Sequence, residues 1–175
     1  NYGIVQEMAG NVDSAIYYYN KALELKRNQN DSIGIPFALT HLSGVYLQRK
    51  EFTKAKEFLD ESYAIRKKRN DTYGISESLV YYAEFYFAQE KYTEAVKWFT
   101  ECYDRAIANK YIHLAQYAAE YAALCFSKLN DYEQAIAYQK NQVTLKDSLL
   151  NEKTNNTIAE LETQFETEKK EKQIL

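Results

Sequence analysis

Tyr92-Thr93-Glu94-Ala95-Val96 is one of four similar stretches that decide the fold of this chain. The other three are Val12-Asp13-Ser14-Ala15-Ile16, Phe52-Thr53-Lys54-Ala55-Lys56 and Tyr132-Glu133-Gln134-Ala135-Ile136. Their central alanines lie at positions 15, 55, 95 and 135, so each step along the chain is 40 residues. A fixed period of this size without gaps predicts an array of structural repeats.

The composition favours long helices. The chain has 175 residues, of which 46% are hydrophobic and 27% charged, and it has only 5 glycines and 1 proline. Few glycines and prolines mean few turns, which argues against a structure built from short strands. The formal net charge is −3, so the chain lacks the general basic character of a nucleic-acid-binding protein.

The helical spacing of apolar residues places a helix on each side of a short break. Residues 1–11 are predicted to be the end of a helix that closes at Gly10-Asn11. The remaining helices are predicted over 13–28, 32–49, 53–69, 72–89, 93–109, 112–129 and 132 to about 149. Successive helices form hairpins whose apolar faces need neighbouring hairpins to bury them. The predicted fold class is therefore all-α, an α-solenoid of antiparallel helix pairs.

Within each period the residue series resembles the tetratricopeptide repeat (TPR) signature. In the third repeat the series is Leu79, Tyr82, Ala83, Tyr86, Ala95, Phe99 and Cys102, and in the second it is Leu39, Leu42, Ser43, Tyr46, Ala55, Leu59 and Ser62. The fourth repeat is weaker, since Gln139 and Gln142 replace apolar or small residues and suggest a loosened terminal unit. The spacing is similar to the lengthened TPR variety of kinesin light chains and bacterial peptide-sensing regulators. The resemblance implies a non-enzymatic module that binds a protein or peptide in a concave groove.

Residues 151–175 differ in composition from the array in 1–150. They lack glycine, proline and tyrosine, and they mix glutamate with lysine around a thin stripe of Ile158, Leu161 and Phe165. This pattern predicts a charged C-terminal helix that caps the solenoid or forms a weak coiled coil, and a homodimer through 151–175 is one possible use. The segment 161–172 also resembles the linker that follows the TPR array in bacterial membrane-bound histidine kinases or transcriptional regulators.

That second resemblance implies the sensor or interaction segment of a bacterial signalling protein. The chain opens inside a repeat, so we expect it to be part of something longer, with 151–175 linked to an output region. We expect the sensor segment to lie on the periplasmic side of a membrane. The alternative is a structural scaffold that dimerises through 151–175 and has no specific groove ligand. The chain has no run of about 18 apolar residues, so it predicts no membrane insertion of its own.

The candidate binding surface is the inner stripe of each first helix. Spacings of three and four keep the stripe on one face, separate from the stripe committed to packing. The predicted groove-binding residues are Phe37, His41, Leu47, Val80, Tyr81, Glu84, Phe87, Tyr117, Tyr121, Leu124 and Lys128. Two interpretations are open. The groove holds an extended peptide or amphipathic helix, or it is filled by neighbouring helices or by residues 151–175 folding back.

No catalytic, cofactor or metal site is predicted. His41 and His113 are isolated in the sequence, and the spacing of Cys102 and Cys125 matches no zinc pattern. The two cysteines are predicted to be buried free thiols, and a pairing between them in an oxidising compartment is left open. The basic run Arg66-Lys67-Lys68-Arg69 is predicted to complement a helix dipole rather than to bind nucleic acid.

Overall fold

The chain folds into consecutive antiparallel helices. A computed structural model describes residues 2–174, with backbone alone for positions 152, 154–162 and 164–174. The helices are α1 (Tyr2–Met8), α2 (Val12–Asn28), α3 (Gly34–Gln48), α4 (Phe52–Lys68), α5 (Thr72–Phe87), α6 (Tyr92–Ala108), α7 (Ile112–Lys128) and α8 (Tyr132–Ile174). Residues 2–174 contain no strand. The all-α prediction is confirmed, and the predicted helices 13 to 129 agree with the structure to within two residues at each end.

The helix ends recur at half the repeat length. Each connection contains one residue with a positive φ, and these residues are Gly10, Asn30, Lys50, Asn70, Glu90, Lys110 and Asn130. They are spaced by 20 residues, with φ between 53° and 77°. A left-handed residue directly after a helix turns the chain sharply and lets its amide bond back to the last turn. Each of the helices α1 to α7 is therefore followed by a tight reversal, which makes neighbouring helices antiparallel.

Aspartate side chains cap the N-terminal ends of α3 and α5, each the first helix of its repeat. Oδ1 of Asp71 accepts a hydrogen bond from the amide of Gly74 at 2.8 Å, and Asp31 does the same for Gly34 at 2.8 Å. These bonds satisfy amides that have no partner within the helix. A Cβ on Gly74 would lie 2.4 Å from Oδ2 of Asp71, so the cap needs glycine at this position for room.

Three of the four repeated alanines are fully buried between helices. Ala15, Ala55 and Ala95 are each 0% exposed, and larger side chains such as Phe99 and Leu39 fill the space around them. A methyl group lets two helix backbones approach closely, which is the physical basis of the 40-residue signal. Ala135, the fourth alanine, is only partly buried, although it occupies the same position in α8.

Buried polar groups tie the two helices of a repeat together. Oγ of Ser43 in α3 donates to the backbone oxygen of Ala55 in α4 at 2.8 Å, and Cys102 in α6 donates to the backbone oxygen of Ser76 in α5 at 3.3 Å. Cys102 and Cys125 are both buried and free, as the spacing predicted. Burial raises the pKa of each thiol to about 12.

Helix α8 is much longer than the prediction. The sequence placed the end of this helix near residue 149, whereas the helix is continuous for 43 residues and ends at Ile174. Its length is roughly 65 Å, against roughly 25 Å for the 17-residue α7 on which it packs. Nothing interrupts the helix at 150 because the segment 149–156 has no glycine or proline. Among the residues that the structure describes, no helix combines the length and apolar character that a bilayer crossing requires.

Candidate protein-interaction face

The inner stripes of α1, α3, α5 and α7 form one surface, which we call the first-helix face. Oε2 of Glu7 in α1 lies 3.6 Å from Nδ1 of His41 in α3. The hydroxyl of Tyr117 in α7 donates to Oε1 of Glu84 in α5 at 2.5 Å. These contacts join alternate helices of the chain, so first helices of successive repeats are neighbours. Side chains separated by 40 residues consequently lie in rows that cross the face.

The most exposed of the predicted groove residues lie on α3 and α7. Phe37 of α3 is 51% exposed and Leu124 of α7 is 41% exposed, and Lys128 at the end of α7 is also exposed. Gly44 leaves open space in front of α3, since a Cβ there would meet nothing within 4 Å. These side chains leave apolar surface accessible on the first-helix face.

An aromatic cluster organises the N-terminal part of the face. The imidazole of His41 stacks on the ring of Tyr19 with centroids 4.8 Å apart, and the edge of the Phe37 ring meets it at 4.6 Å. The Tyr19 hydroxyl donates to Oε2 of Glu7 at 2.5 Å. His41 is therefore held by two rings and a carboxylate, a packing role with part of its edge left accessible.

The central part of the face is half-buried. Leu47, Tyr81, Phe87, Tyr117 and Tyr121 each keep part of their surface accessible. Tyr121 stacks on Phe99 with centroids 5.4 Å apart and meets Phe87 edge-on at 5.9 Å, so much of its ring serves the packing of α7.

Val80 is a correction to the predicted set of groove residues. Its side chain is 5% exposed and belongs to the core cluster that α5, α6 and α7 form. It lies at the edge of the predicted stripe, where α7 covers the surface of α5. Helical spacing alone could not separate this position from the accessible ones.

Glu84 is the electrostatic centre of the face. Burial raises the pKa of its carboxyl group, the hydrogen bond from Tyr117 opposes that shift, and the nearby Glu77 carboxylate adds to it. Burial and the Glu84 charge together raise the pKa of the Tyr117 hydroxyl, which therefore stays a donor. Burial also raises the pKa of Tyr81, beside Glu77 and Glu84. The cluster presents a carboxylate flanked by phenol groups.

Arg66 anchors α5 from behind the face. Its guanidinium donates from Nη1 to the backbone oxygen of Gly74 at 2.8 Å and to Oγ of Ser78 at 2.9 Å, and from Nη2 to Oε2 of Glu77 at 2.6 Å. Arg66 is 5% exposed. It was predicted only as part of a basic run at a helix end, and its buried role lay outside that prediction.

A cavity of about 560 Å³ opens where α7 meets α8. Its walls include Tyr121, Leu124, Tyr132, Ala135, Ile136 and Gln139. Tyr121 and Leu124 were predicted groove residues, whereas the contributions of Tyr132, Ile136 and Gln139 were missed. The sequence signal for this cavity was Gln139, because the aromatic Phe99 occupies the equivalent position one repeat earlier and the smaller polar side chain leaves space. The other substituted position, Gln142, is nevertheless 8% exposed.

Acidic and histidine side chains do not converge on a metal site. Among the described residues, no group of three or more His, Cys, Asp or Glu side chains is placed to hold a metal ion. His41 lies in the aromatic cluster and His113 is exposed at the start of α7.

Paired helices stacked with a 40-residue period and a common first-helix face define a protein-interaction module of the helical-repeat class. Family models described as tetratricopeptide repeat match residues 1–68 and residues 122–148, together more than half of the chain. The chain therefore belongs to the tetratricopeptide repeat proteins. A comparison with curated protein sequences gives no match.

Several solved structures share the fold. The apo form of RapI aligns with a TM-score of 0.75 and 17% identity, over 85% of this chain and 54% of that protein. Aspartyl phosphate phosphatase F from Bacillus subtilis aligns with a TM-score of 0.72 and 21% identity, over 85% and 39%. A signal transduction ATPase (STAND) with a tetratricopeptide repeat sensor, from Pyrococcus horikoshii, aligns with a TM-score of 0.62 and 19% identity, over 86% and 24%. BtubC from P. vanneervenii aligns with a TM-score of 0.69 and 12% identity, over 84% and 61%. The chain thus spans less than two thirds of each of these proteins, and the likeness shows the fold.

Proposed function

We propose that the chain is the sensor segment of a bacterial signalling protein and that it binds a protein or peptide segment on its first-helix face. The observation that carries the proposal is the set of open positions on that face. Phe37 is 51% exposed on the same stripe of α3 as Gly44, where a Cβ would meet nothing within 4 Å, and the half-buried Glu84 carboxylate lies near the phenol groups of Tyr81 and Tyr117. Apolar contacts near polar groups that fix orientation are what an extended peptide or amphipathic helix requires.

The face has the character expected of a peptide groove with a directional polarity. Its N-terminal part offers the Phe37 ring and the accessible edge of His41, its centre offers Glu84, and its C-terminal part offers Leu124 and Lys128. A ligand with an aromatic residue, a central hydrogen-bond donor or cation, and an apolar residue followed by an acidic group fits this order. These are contacts of modest number, so affinity depends on the few buried ones.

The position of α8 supports a signalling role. Tyr121 and Leu124 on α7 lie in the same cavity as Tyr132 and Ile136 at the start of α8. A ligand that moves α7 therefore acts directly on a continuous helix that extends to Ile174. The resemblance of 161–172 to the linker of membrane-bound sensors supports a place before an output domain, on the periplasmic side of a membrane. The similar signal transduction ATPase from Pyrococcus horikoshii uses a tetratricopeptide repeat sensor, which supports the same role.

Binding can be tested with peptides selected from a random display library on the immobilised chain. Each selected peptide is titrated against the chain and against Phe37→Ser and Tyr81→Ala variants by calorimetry. We expect an affinity loss of about tenfold or more for both variants, as for anchor residues of interfaces. The matched control is Leu25→Ser, because Leu25 is 57% exposed but lies on the second helix α2. Equal losses for Phe37→Ser and Leu25→Ser, or no selected peptide at all, would contradict the proposal.

The signalling step needs a separate measurement. Hydrogen exchange of the α8 amides is recorded with and without a peptide that binds the first-helix face. We expect the protection of the N-terminal turns of α8 to change on binding, because these turns share a cavity with α7. Unchanged protection throughout α8 at saturating peptide would contradict the proposed signalling step, although the peptide binds.

A scaffold that dimerises through its terminal helix is the second candidate, favoured by the length of α8. Roughly the last 40 Å of α8 extends beyond the span that α7 can cover. Light scattering on the chain with and without residues 151–175 tests this candidate. A dimer that becomes a monomer on truncation supports the scaffold, and a monomer in both forms contradicts it.

A further inference from the structure

The surface formed by α5 and α6 shows how this array receives a following helix. The ring of Tyr121 in α7 stacks there on Phe99 of α6, with centroids 5.4 Å apart. Phe99 and Val96 are 0% and 8% exposed, in one cluster with small residues of α7 such as Ala118. Two repeats earlier His41 of α3 stacks on Tyr19 of α2 at 4.8 Å in the same register. The pairs α1–α2 and α5–α6 are thus each covered by the first helix of the next repeat.

The positions equivalent to this covered surface, 40 residues later in the chain, form walls of the open cavity. Ala95, Val96 and Phe99 correspond to Ala135, Ile136 and Gln139, all of which line the cavity. The coverage is lost at this step. Val96 is 8% exposed, whereas Ile136 is 57% exposed. The apolar stacking surface therefore continues into α7 and α8, and no helix within residues 2–174 lies on it.

The segment that the period would place over the cavity lies elsewhere. The residues one period after α7 are 152–168, and they belong to the continuous helix α8. A helix cannot both extend α8 and turn back onto its first turns. The register-equivalent segment of this chain therefore does not cover the cavity.

We propose that this cavity is a docking site for an amphipathic helix of a partner protein other than a second copy of this chain. The internal precedent of α7 defines the chemistry of that helix, which presents small side chains along its contact stripe and one large aromatic ring. Gln139 and Ser127 replace the Phe99 and Phe87 that hold the Tyr121 ring one repeat earlier, so the cavity has room for a ring larger than tyrosine. Glu120 at the rim favours a lysine or arginine beside the stripe.

This inference goes beyond the proposed function, since it concerns the open end of the array and a helix stacked on it. Tyr121 and Leu124 belong to both surfaces, but Tyr132, Ala135 and Ile136 of α8 belong to the cavity alone. Variants of α8 therefore address the cavity without changing the side chains of the first-helix face.

The probe is a synthetic, fluorescently labelled peptide of residues 111–129 with Cys125→Ser, made with tyrosine, tryptophan or alanine at position 121. Binding to the full chain is followed by fluorescence anisotropy. We expect saturable binding, with the tryptophan peptide tighter than the tyrosine peptide and the alanine peptide weaker by about tenfold or more.

A substitution at an exposed cavity residue tests where the peptide binds, because replacing an exposed side chain should not unfold the chain. Ile136→Lys in the full chain should weaken binding of the tryptophan peptide by about tenfold or more, because the charge enters the apolar wall. The matched control is Val143→Lys, since Val143 is 46% exposed on α8 but does not line the cavity. Its affinity should stay within about twofold of the unaltered chain, as is usual for surface substitutions. Circular dichroism checks that both variants have the helical content of the unaltered chain.

Three results would overturn the proposal. The first is no saturable binding of any of the three peptides, and the second is equal affinity in the unaltered chain and Ile136→Lys. The third is self-association of the chain alone that Ile136→Lys abolishes, because the cavity would then hold a second copy. Phe37→Ser, which tests the first-helix face on α3, should leave binding of this probe unchanged, so the two proposals fail independently.

Discussion

The Tyr117 hydroxyl of α7 donates a 2.5 Å hydrogen bond to Oε1 of Glu84 in α5, and this bond joins the first helices of two successive repeats. It crosses the half-buried centre of the first-helix face. The bond is charge-assisted while the Glu84 carboxyl group is ionised. Its state therefore affects both the packing of α7 and the charge that a ligand meets.

Glu84→Gln should make the chain less sensitive to pH. The native pKa of Glu84 is raised by burial, so its contribution to stability is fully present below the unfolded pKa of 4.5 and is lost as pH rises through the native pKa. Glutamine can still accept the Tyr117 bond and carries no charge. We expect a flatter pH profile of the unfolding free energy above pH 4.5, measured by urea unfolding. A profile as steep as that of the unaltered chain would contradict this assignment.

Arg66→Ala should destabilise the chain strongly. The substitution removes three hydrogen bonds and leaves Glu77 and Ser78 without their cationic partner. Loss of one member of a buried ionic network costs about 3 kcal/mol or more. Arg105→Ala is the control. Arg105 is 44% exposed, and its ion pair with Glu101 is long, at 3.9 Å, so the substitution should lower the unfolding free energy by less than about 1 kcal/mol. Similar midpoints for both variants in chemical denaturation would refute a structural role for Arg66.

The repeated alanines should differ in their tolerance of a larger side chain. Ala95 is 0% exposed between helices, so Ala95→Leu overpacks the core and should cost about 1–3 kcal/mol. Ala135 occupies the equivalent position but lines an open cavity, so Ala135→Leu should cost less than about 1 kcal/mol. The midpoints of thermal unfolding report the difference. A larger loss at Ala135 than at Ala95 would mean that the end of the array is closed.

Cys102 and Cys125 should resist alkylation in the folded chain. The reactive species is the thiolate, and burial raises the pKa of each thiol to about 12, so little thiolate forms at pH 8. We expect both cysteines to react with iodoacetamide only after denaturation, as measured by mass spectrometry. Rapid labelling of either cysteine without denaturant would show that α6 and α7 open easily.

The sequence could predict the helical array because its signal is local and repeated. Ala15, Ala55 and Ala95 recur at a fixed step and are fully buried, and Asn30, Asn70 and Asn130 mark helix ends where the backbone turns with a positive φ. These features depend on close approach and turn geometry, which individual residues dictate.

Features that depend on how the helices pack against one another were harder to predict. Val80 has the spacing of an accessible residue, and only the placement of α7 shows that it is covered. The length of α8 was also missed, because the change in composition at 150 does not coincide with a helix-breaking residue. The cavity between α7 and α8 is lined by side chains of two helices, and no single stretch of sequence indicates that the described residues leave it open.

The most direct test of the account is nuclear magnetic resonance mapping of a selected peptide on the isotopically labelled chain. Binding on the first-helix face predicts the largest shift changes at Phe37, His41 and Gly44 of α3, Tyr81 and Glu84 of α5, and Leu124 and Lys128 of α7. Amides of the second helices α2, α4 and α6 should change little. Changes concentrated on those second helices, with α3, α5 and α7 unaffected, would contradict the central claim that the first-helix face is the binding surface.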